Sequence, residues 1–492
     1  MKYENWALAE LPKTWLWTDF ESISRELKAG GTPLTRTKEY YDGGKIPFVK
    51  IEDIVGSSKY LYDTKTRITE QGLRNSSAWL VPRDSLLYSM YASYGEPIIN
   101  KIEVATSQAI IAYIHPQDLI VLDYVYYYLK KIRAELTTRG TTQKNLNGQI
   151  VRRIPIPLAP FNEQLRIVAR LEELFTRLDA GVEGMRRVKV QLRRYRKAVL
   201  KNAFEGKLTE EWRKTHKEQI EPAQNLLARI RQRRKVNDKL ESTQPINTSE
   251  FIPPESWVVT SLDELSDQIV DCLHSTPKFT IEGKYCVDTN CIEPNKILFQ
   301  DARFVSEKTF EDRIRRLKPR ANDVLFAREG TIGTAVTVPE NVDVCLGQRM
   351  MMFRPDEEIN SHYFSWGLMS PFFEKQWKAK VAGSTVAHIN IRDIRKMVLP
   401  LPSVEEQRIL VEEVERCMSL ADDVDRNLDQ SFLRSELMRL SILRDAFEGK
   451  LVPQNPDDEP AEKLLERIET EHLGKNGLSK GKKQFELSHY VK

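Results

Sequence analysis

The sequence predicts an α+β chain built twice, in which two mixed α/β domains alternate with two long helices. Three observations predict this. The hexapeptide AFEGKL stands at Ala203–Leu208 and again at Ala446–Leu451. Ahead of each copy, apolar residues recur at alternating steps of four and three, which is the pattern of a helix with one apolar seam. Between these regions lie short β-rich runs mixed with amphipathic helices. A chain of 492 residues is also too long for one hydrophobic core.

The repeat is larger than the hexapeptide. PLAPFNEQ (Pro157–Gln164) and PLPSVEEQ (Pro400–Gln407) share the pattern P-L-x-x-x-x-E-Q at the same offset. Further back, Gly140, Thr142 and Asn147 match Gly383, Thr385 and Asn390. Further forward, EPAQNLLARI from Glu221 matches EPAEKLLERI from Glu459, and near the start LPKTW from Leu11 matches PPESW from Pro253. Each copy therefore joins a variable first part to a strongly matching second part. The variable parts share a frame and little content: LLYSMYASYG from Leu86 stands against VLFAREGTIG from Val324, and Gln108 against Gln348. The expected boundaries are variable domains at 1–156 and 250–399, helical regions at 157–249 and 400–475, and a polar tail at 476–492.

The first matching part reads as one helix from Phe161 to Phe204. Its seam is Ile167, Leu171, Leu174, Leu178, Met185, Val188, Leu192, Tyr195 and Val199, with Gly181 as the one gap. The second copy keeps most of the seam from Leu410 to Ile442 and adds a stripe of Leu433, Leu437 and Leu440. A helix of this length spans about 66 Å, and alone in water it would expose its seam. Two such seams in one chain are expected to pack together as an intramolecular coiled coil. That pair is a scaffold at least, and it also suits a rigid spacer that offers a surface to partner helices. The prolines at 155, 157, 160, 400 and 402 are expected to stop any strand and prepare a helix start. Ser403 and Glu406 have capping-box spacing.

In the variable parts, SLLYSMY, QAIIAYI and RMMMFRP read as strands, and LDYVYYYLKKIRAEL and SHYFSWGLMSPFFEKQWKA as amphipathic helices. The loops between them are rich in Gly, Thr, Ser, Lys and Arg. Small residues let a backbone approach phosphate, and Gln, Asn, Arg and Lys can read base edges in a groove. In the first domain these loops offer Thr35, Arg36, Lys38 and Lys50, then Tyr91, Ser93 and Gln108, then Thr142, Gln143 and Lys144. In the second they offer His274, Ser275, Lys278 and Asn290, then Arg328 and Thr331, then Gln348, Arg349, Thr385 and His388. One such loop is more often a plain surface turn, but five at corresponding places in a duplicated frame point to a shared use. The basic run RIRRLKPR (Arg313–Arg320) suits phosphate contact. RIRQRRK (Arg229–Lys235) reads as a solvated helix face, because its counterpart RIETEHL is not basic.

Composition bounds the rest. Apolar residues make up 40% and charged residues 30%, as in a soluble globular chain with long solvated helices. The net charge is only +4, so a nucleic-acid surface must be local. No segment approaches the apolar length of a membrane span, and MKYENWALAELPKTW lacks the regions of a signal peptide, so a cytoplasmic protein is expected. The five cysteines form no CxxC pair, and Cys286 and Cys291 have no histidine at zinc-finger spacing. Reduced, buried thiols and no metal ligands are expected.

Catalytic motifs are missing from the sequence. There is no GxxxxGK[ST] phosphate loop, no Asn- or Asp-Pro-Pro-aromatic stretch of an adenine amino-methyltransferase, and no HExxH. GTIGTA from Gly330 has the wrong context for a methyl-donor turn. PDDEPAEK from Pro456 lacks nuclease spacing and repeats the EPAxxLL element, so it reads as structural. Seven scattered histidines pair with no obvious nucleophile. No catalytic residue is assigned, and a non-catalytic component is expected.

The order of variable domain, P-L-x-x-x-x-E-Q helix, AFEGKL and EPAxxLLxRI, given twice over nearly the whole chain, resembles the DNA specificity subunits of type I restriction–modification systems. The resemblance implies two target recognition domains, each reading one half of a bipartite target in double-stranded DNA. It implies two conserved helices packed as an antiparallel coiled coil about a pseudo-two-fold axis. It also implies two modification subunits that methylate adenine with S-adenosylmethionine, and restriction subunits that use ATP and Mg2+, so this chain itself would bind no cofactor. The duplicated motifs would then be docking surfaces for the two modification subunits, through Glu163, Gln164, Phe204 and Leu208 in one copy and Glu406, Gln407, Phe447 and Leu451 in the other. Gly181 and Gly184 inside the first helix and a polar, basic tail after Leu473 depart from the pattern. Two rival readings are a single-chain restriction or methylation enzyme, against which the missing motifs argue, and a coiled-coil adaptor that binds only proteins.

Overall fold

Each variable segment completes its core with helical elements from distant parts of the sequence. The computed structural model describes residues 8–90, 95–138, 147–236, 251–381 and 388–475. The chain forms two compact units, Met1–Met185 with Gln430–Lys492, and Arg186–Asp429. The boundaries between units fall inside the two long helices.

In the first unit a five-stranded sheet runs in the order Glu26–Ala29, Ile110–Ile114, Ser85–Ser89, Pro97–Asn100, Tyr60–Leu61. A four-stranded sheet runs Thr66–Ile68, Ile46–Val49, Val104–Thr106, Leu80–Val81. The helix Leu122–Thr138 supplies buried Tyr124, Tyr128 and Leu129 to the main core. That core also takes Ile167, Leu171 and Phe175 from the first long helix, and Leu443, Ala446 and Phe447 from the second. The helix Ala461–Lys475 adds Ala461, Leu464 and Ile468. The second copy of AFEGKL thus packs into the first variable domain.

The second unit repeats the plan. One four-stranded sheet runs Ser266–Asp271, Met350–Pro355, Val324–Ala327, Ala335–Thr337. The other runs Phe279–Thr280, Arg303–Val305, Lys284–Val287, Val344–Leu346. Phe204 from the first AFEGKL packs here with Trp257, Tyr363, Trp366, Leu410 and Val414. The helix Ala223–Val236 buries Ala223, Leu226, Leu227 and Ile230 beside Leu262 and Phe364. The segment SHYFSWGLMSPFFEKQWKA is not one helix but two, Ser361–Leu368 and Pro371–Val381, as a proline that cannot continue a helix requires.

The prolines before the long helices do not stop a strand, contrary to expectation. Pro155–Leu158 pairs antiparallel with Leu16–Asp19, and Val398–Leu401 with Val258–Ser261. Each pair is a two-stranded sheet, so each proline strand has a free edge, where a missing N–H is tolerated. Tyrosine hydroxyls cap the proline carbonyls instead: Tyr124 donates to Pro157 O at 2.7 Å and Tyr128 to Pro155 O at 2.6 Å. Tyr363 does the same for Pro400 O in the second unit.

The long helices run unbroken over Phe161–Phe204 and Val404–Phe447, 44 residues each. Gly181 and Gly184 do not interrupt the first, and a Cβ at either would meet nothing. Within the second unit the helices exchange ion pairs in antiparallel order: Lys189 with Asp429 at 2.5 Å, then Arg196 with Asp425 at 3.1 Å and Asp422 at 2.7 Å. In the first unit Arg439 pairs with Asp179 and stacks 4.4 Å over Phe175. The predicted seam is buried toward the helix ends, at Ile167, Leu171, Leu192, Val199, Leu410, Val414 and Ala421. It is exposed at Val188, Tyr195, Val424 and Met438, and Leu433 and Leu437 of the extra stripe are exposed too.

Candidate nucleic-acid interface

The repeated motifs turn out to be internal locks. Glu163 and Glu406, on the first turns of the long helices, are buried. Glu163 accepts the indole N–H of Trp15 at 2.9 Å and an amide N–H of Gln454. Glu406 accepts Trp257 Nε1 at 2.7 Å, the Thr209 hydroxyl at 2.6 Å and the Arg213 guanidinium. Each following glutamine is buried as well. Gln164 accepts from Val121 N at 2.9 Å and donates to Ala159 O at 2.9 Å; Gln407 accepts from Asn360 N at 2.8 Å. Phe447 meets Tyr124 and Tyr128 edge-on with centroids 5.1 and 5.0 Å away, and Phe204 lies 5.1 Å from Tyr363. Leu208 and Leu451 pack against the same cores. Six of the eight residues expected to dock a partner are therefore buried in contacts within the chain, and Leu208 and Leu451 are half-buried. Ser403 caps the second long helix by accepting from Glu406 N at 3.3 Å, but the Glu406 side chain turns away to Trp257, so the capping box is only half made.

These locks set the β-frame that carries the candidate DNA-reading loops. In the second unit the loop after Ser266–Asp271, the residues before Met350–Pro355 and the loop after Val324–Ala327 converge. Gln348 Oε1 accepts the Thr276 hydroxyl at 2.8 Å, and its Nε2 donates to His274 O at 3.4 Å. Cys272, its thiol pushed up to about 11 by burial, donates to Gln348 O at 2.6 Å. Arg328 is buried, 5% exposed, which removes it from the direct contacts expected of it. Its guanidinium contacts Asp271 Oδ2 at 3.2 Å, Glu329 Oε1 at 3.1 Å and His274 Nδ1 at 3.0 Å. His274 Nε2 lies 3.1 Å from Asp271 Oδ2, so both ring nitrogens of this exposed histidine are engaged. Ser275, Lys278, Asn290, Thr331, Arg349 and His388 are exposed around this cluster or nearby in the unit. Asn290 spends one N–H on Asp301 O at 3.1 Å, and His388 bridges Glu329 through the backbone.

The basic run Arg313–Arg320 braces the same loop. Arg313 is buried and donates to Leu346 O at 2.8 Å and to Ser275 O. Arg316 donates to Asp271 O at 3.0 Å and Cys272 O at 3.2 Å. The other basic run is neutralised within its unit: Arg229 by Glu221 and Glu358, Arg231 by Glu264, Arg233 by Asp356 and Glu358, Arg234 by Asp263.

In the first unit Thr35, Arg36, Lys38 and Gln108 are exposed and Lys50 is half-buried. The backbone N–H of Gln108 donates to Thr32 Oγ1 at 3.3 Å, so the 30–38 loop and Gln108 come together. Tyr91, Ser93, Thr142, Gln143, Lys144 and Thr385 lie outside the described residues, as does the 476–492 tail. Sequence reasoning missed Thr32, Asp271, Cys272 and Thr276. A Thr-Pro step occurs in both loops, at Thr32–Pro33 and Thr276–Pro277, and that repeat was the available signal. Among the described residues no group of His, Cys, Asp and Glu could hold a metal ion, and no helix is long and apolar enough to cross a membrane.

Comparison with known proteins gives a consistent picture. A family model described as the type I restriction modification DNA specificity domain matches twice, over residues 24–183 and 254–422. The EcoBI specificity subunit of Escherichia coli is 24% identical, over 97% of this chain and 96% of its own length. The MjaIX specificity subunit of Methanocaldococcus jannaschii is 23% identical, over 90% of this chain and 94% of its own. A chain from a structural study of complex assembly and conformational transition in the type I R-M system matches with TM-score 0.61 at 16% identity, over 90% of this chain and 99% of its own. The HsdS subunit from Thermoanaerobacter tengcongensis matches with TM-score 0.51 at 14% identity, over 92% and 100%. At these identities the two structures establish a shared fold.

Proposed function

The chain belongs to the type I restriction modification DNA specificity family, and on that ground we propose that its two units read the two halves of one split DNA target. Residues 1–156 and 250–399 are the target recognition domains; 157–249 and 400–475 are the conserved helical regions. The observation that carries this reading is the recurrence of one frame with different contents. In each unit a glutamine sits two residues before a central strand, beside the threonine of a Thr-Pro loop. A glutamine amide offers a donor and an acceptor to a base edge, and changing its surroundings changes which base pair it favours. Exposed lysines and arginines on the same loops suit phosphates, which position the protein without specifying sequence.

Methyl transfer and cleavage belong to partners in this reading: two modification subunits using S-adenosylmethionine, and restriction subunits using ATP and Mg2+, all cytoplasmic. Because Glu163, Gln164, Glu406 and Gln407 are buried, we place docking on exposed apolar residues of the long helices: Leu433 and Leu437, 58% and 57% exposed, in the first unit, and Val188, Val190 and Tyr195 in the second. Methylome sequencing of cells with and without this chain, in the presence of its modification partners, tests the proposal. The expected result is methylated adenine in a two-part motif that disappears with the chain. Donor-dependent methylation by the purified chain alone would overturn it, as would a motif without a split.

A further inference from the structure

We propose that Arg328 is the positioning residue that presents Gln348 to the second half-site, and that Gln348 reads an adenine there. The inference rests on the reading of the second unit as a half-site reader. A side-chain amide has two N–H donors and two acceptor lone pairs. The contacts of Gln348 with Thr276 and His274 use one of each. One donor and one acceptor are left, and offered together on one edge of the amide they complement the adenine N7 and N6 edge in the major groove. Those contacts also fix the plane of the amide, and the Cys272 thiol fixes its main chain from beneath.

Every group that holds the amide lies on the 272–276 loop, and Arg328 holds that loop from inside. It reaches the Asp271 carboxylate and the His274 ring together. Its own N–H donates to Arg349 O at 3.0 Å, next to Gln348, and its carbonyl accepts from Ile389 N at 3.2 Å. The residue therefore ties the strand start and the segment at Ile389 through its main chain, while its side chain alone holds the loop, through Asp271 and His274. A guanidinium carries several N–H donors in a rigid fork, so it can serve a carboxylate and a ring nitrogen at once.

The frame itself does not ask for an arginine. Ile110 pairs with Ser89 in the first unit as Met350 pairs with Ala327 in the second. The next residues are Met90, whose N–H donates to Ala109 O, and Arg328, whose N–H donates to Arg349 O. Met90 is buried in the apolar core of its unit. The same place is thus filled by a plain apolar residue in the first unit.

The test uses the full-length chain with its modification partners and duplexes carrying single base-pair changes across both half-sites. Gln348→Ala is expected to lose roughly tenfold or more in discrimination at one A·T pair of one half-site. Arg328→Met, which imports the residue of the first unit, is expected to lose discrimination at the same pair. The double variant should lose little more than either, and discrimination in the other half-site should stay unchanged. Asp271→Asn, which keeps shape and weakens the ion pair, is expected to follow Arg328→Met and serves if that variant does not fold. The proposal is overturned if folded Arg328→Met and Asp271→Asn discriminate as the parent does. It is overturned equally if they weaken matched and mismatched DNA alike, as a purely structural role would, or if Gln348→Ala relaxes a G·C pair. If the parent chain discriminates in neither half-site, the half-site reading itself falls.

Discussion

Trp257 and Glu406 lie 149 positions apart in the sequence and meet across 2.7 Å, indole N–H to carboxylate, in the buried base of the second unit. Trp15 and Glu163 repeat the contact in the first unit, 148 positions apart at 2.9 Å. One such pair pins a variable domain to the start of a long helix. Glu406→Ala leaves the indole N–H, the Thr209 hydroxyl and the Arg213 guanidinium without their common acceptor. Removing one partner of a buried charged cluster costs about 3–5 kcal/mol, so the denaturant midpoint should fall well below that of the parent, with Trp257→Phe falling less. Unchanged melting of Glu406→Ala would mean that the lock contributes nothing.

The first lock should depend on pH. Burial raises the Glu163 carboxyl above the usual carboxylate range, against the lowering effect of Trp15 and Gln454. A carboxyl raised on folding binds its proton more tightly in the folded state. Its contribution is therefore complete below the unfolded-state value and is lost as pH rises through the folded value. The unfolding free energy of the parent minus that of Glu163→Gln should accordingly fall with rising pH across that window and level off above it. Chemical denaturation at a series of pH values gives the difference directly; a flat difference, or one rising with pH, would count against the assignment.

Glycines in the repeat should respond with opposite signs. Gly206 and Gly449 of AFEGKL have φ of +73° and +69°, and an added Cβ would lie 2.4 Å from Pro254 Cγ or 2.3 Å from Pro12 Cγ. Alanine there is strained in backbone and in space, and a loss of about 1–3 kcal/mol is expected. Gly181 sits in a helix with open space around it, so Gly181→Ala should stabilise by up to about 1 kcal/mol. Thermal unfolding of the three variants checks the signs.

Partner assembly and folding should be separable. Leu433→Ser with Leu437→Ser changes two exposed side chains and should leave melting within about 0.5 kcal/mol of the parent, while weakening co-purification with modification subunits. Phe447→Ala empties a buried aromatic site and should destabilise by about 3–5 kcal/mol. Analytical ultracentrifugation of mixtures, paired with unfolding curves, distinguishes the two. A double serine variant that assembled normally would move the docking surface elsewhere.

The duplication, the two long helices and the order of elements were all legible in the sequence, because motif repetition and heptad spacing are local signals. The use of the repeated motifs was not. The docking role of P-L-x-x-x-x-E-Q and AFEGKL was implied by the resemblance, and nothing in the polar Glu163, Gln164, Glu406 and Gln407 speaks against an exposed place. Their partners, Trp15, Val121, Trp257 and Asn360, are tens to hundreds of residues away, and no local pattern announces them. Arg328 was misread for the same reason: Asp271, which buries it, is 57 positions distant. The strands at Pro155–Leu158 and Val398–Leu401 were hidden because proline usually argues against a strand, and only a two-stranded sheet with a free edge admits it.

The two units differ in how the ribosome delivers them. The second is one uninterrupted stretch, Arg186–Asp429, whereas the first needs Gln430–Lys492 to be complete. The segment that emerges first is therefore the last to acquire its full core. At elongation rates of about 5–20 residues per second, it waits roughly 15–60 s for Leu443, Phe447 and Leu464 to arrive. During that interval the nascent chain carries an unfinished apolar surface around Tyr124 and Tyr128, which makes this stage of biosynthesis the natural point for chaperone engagement.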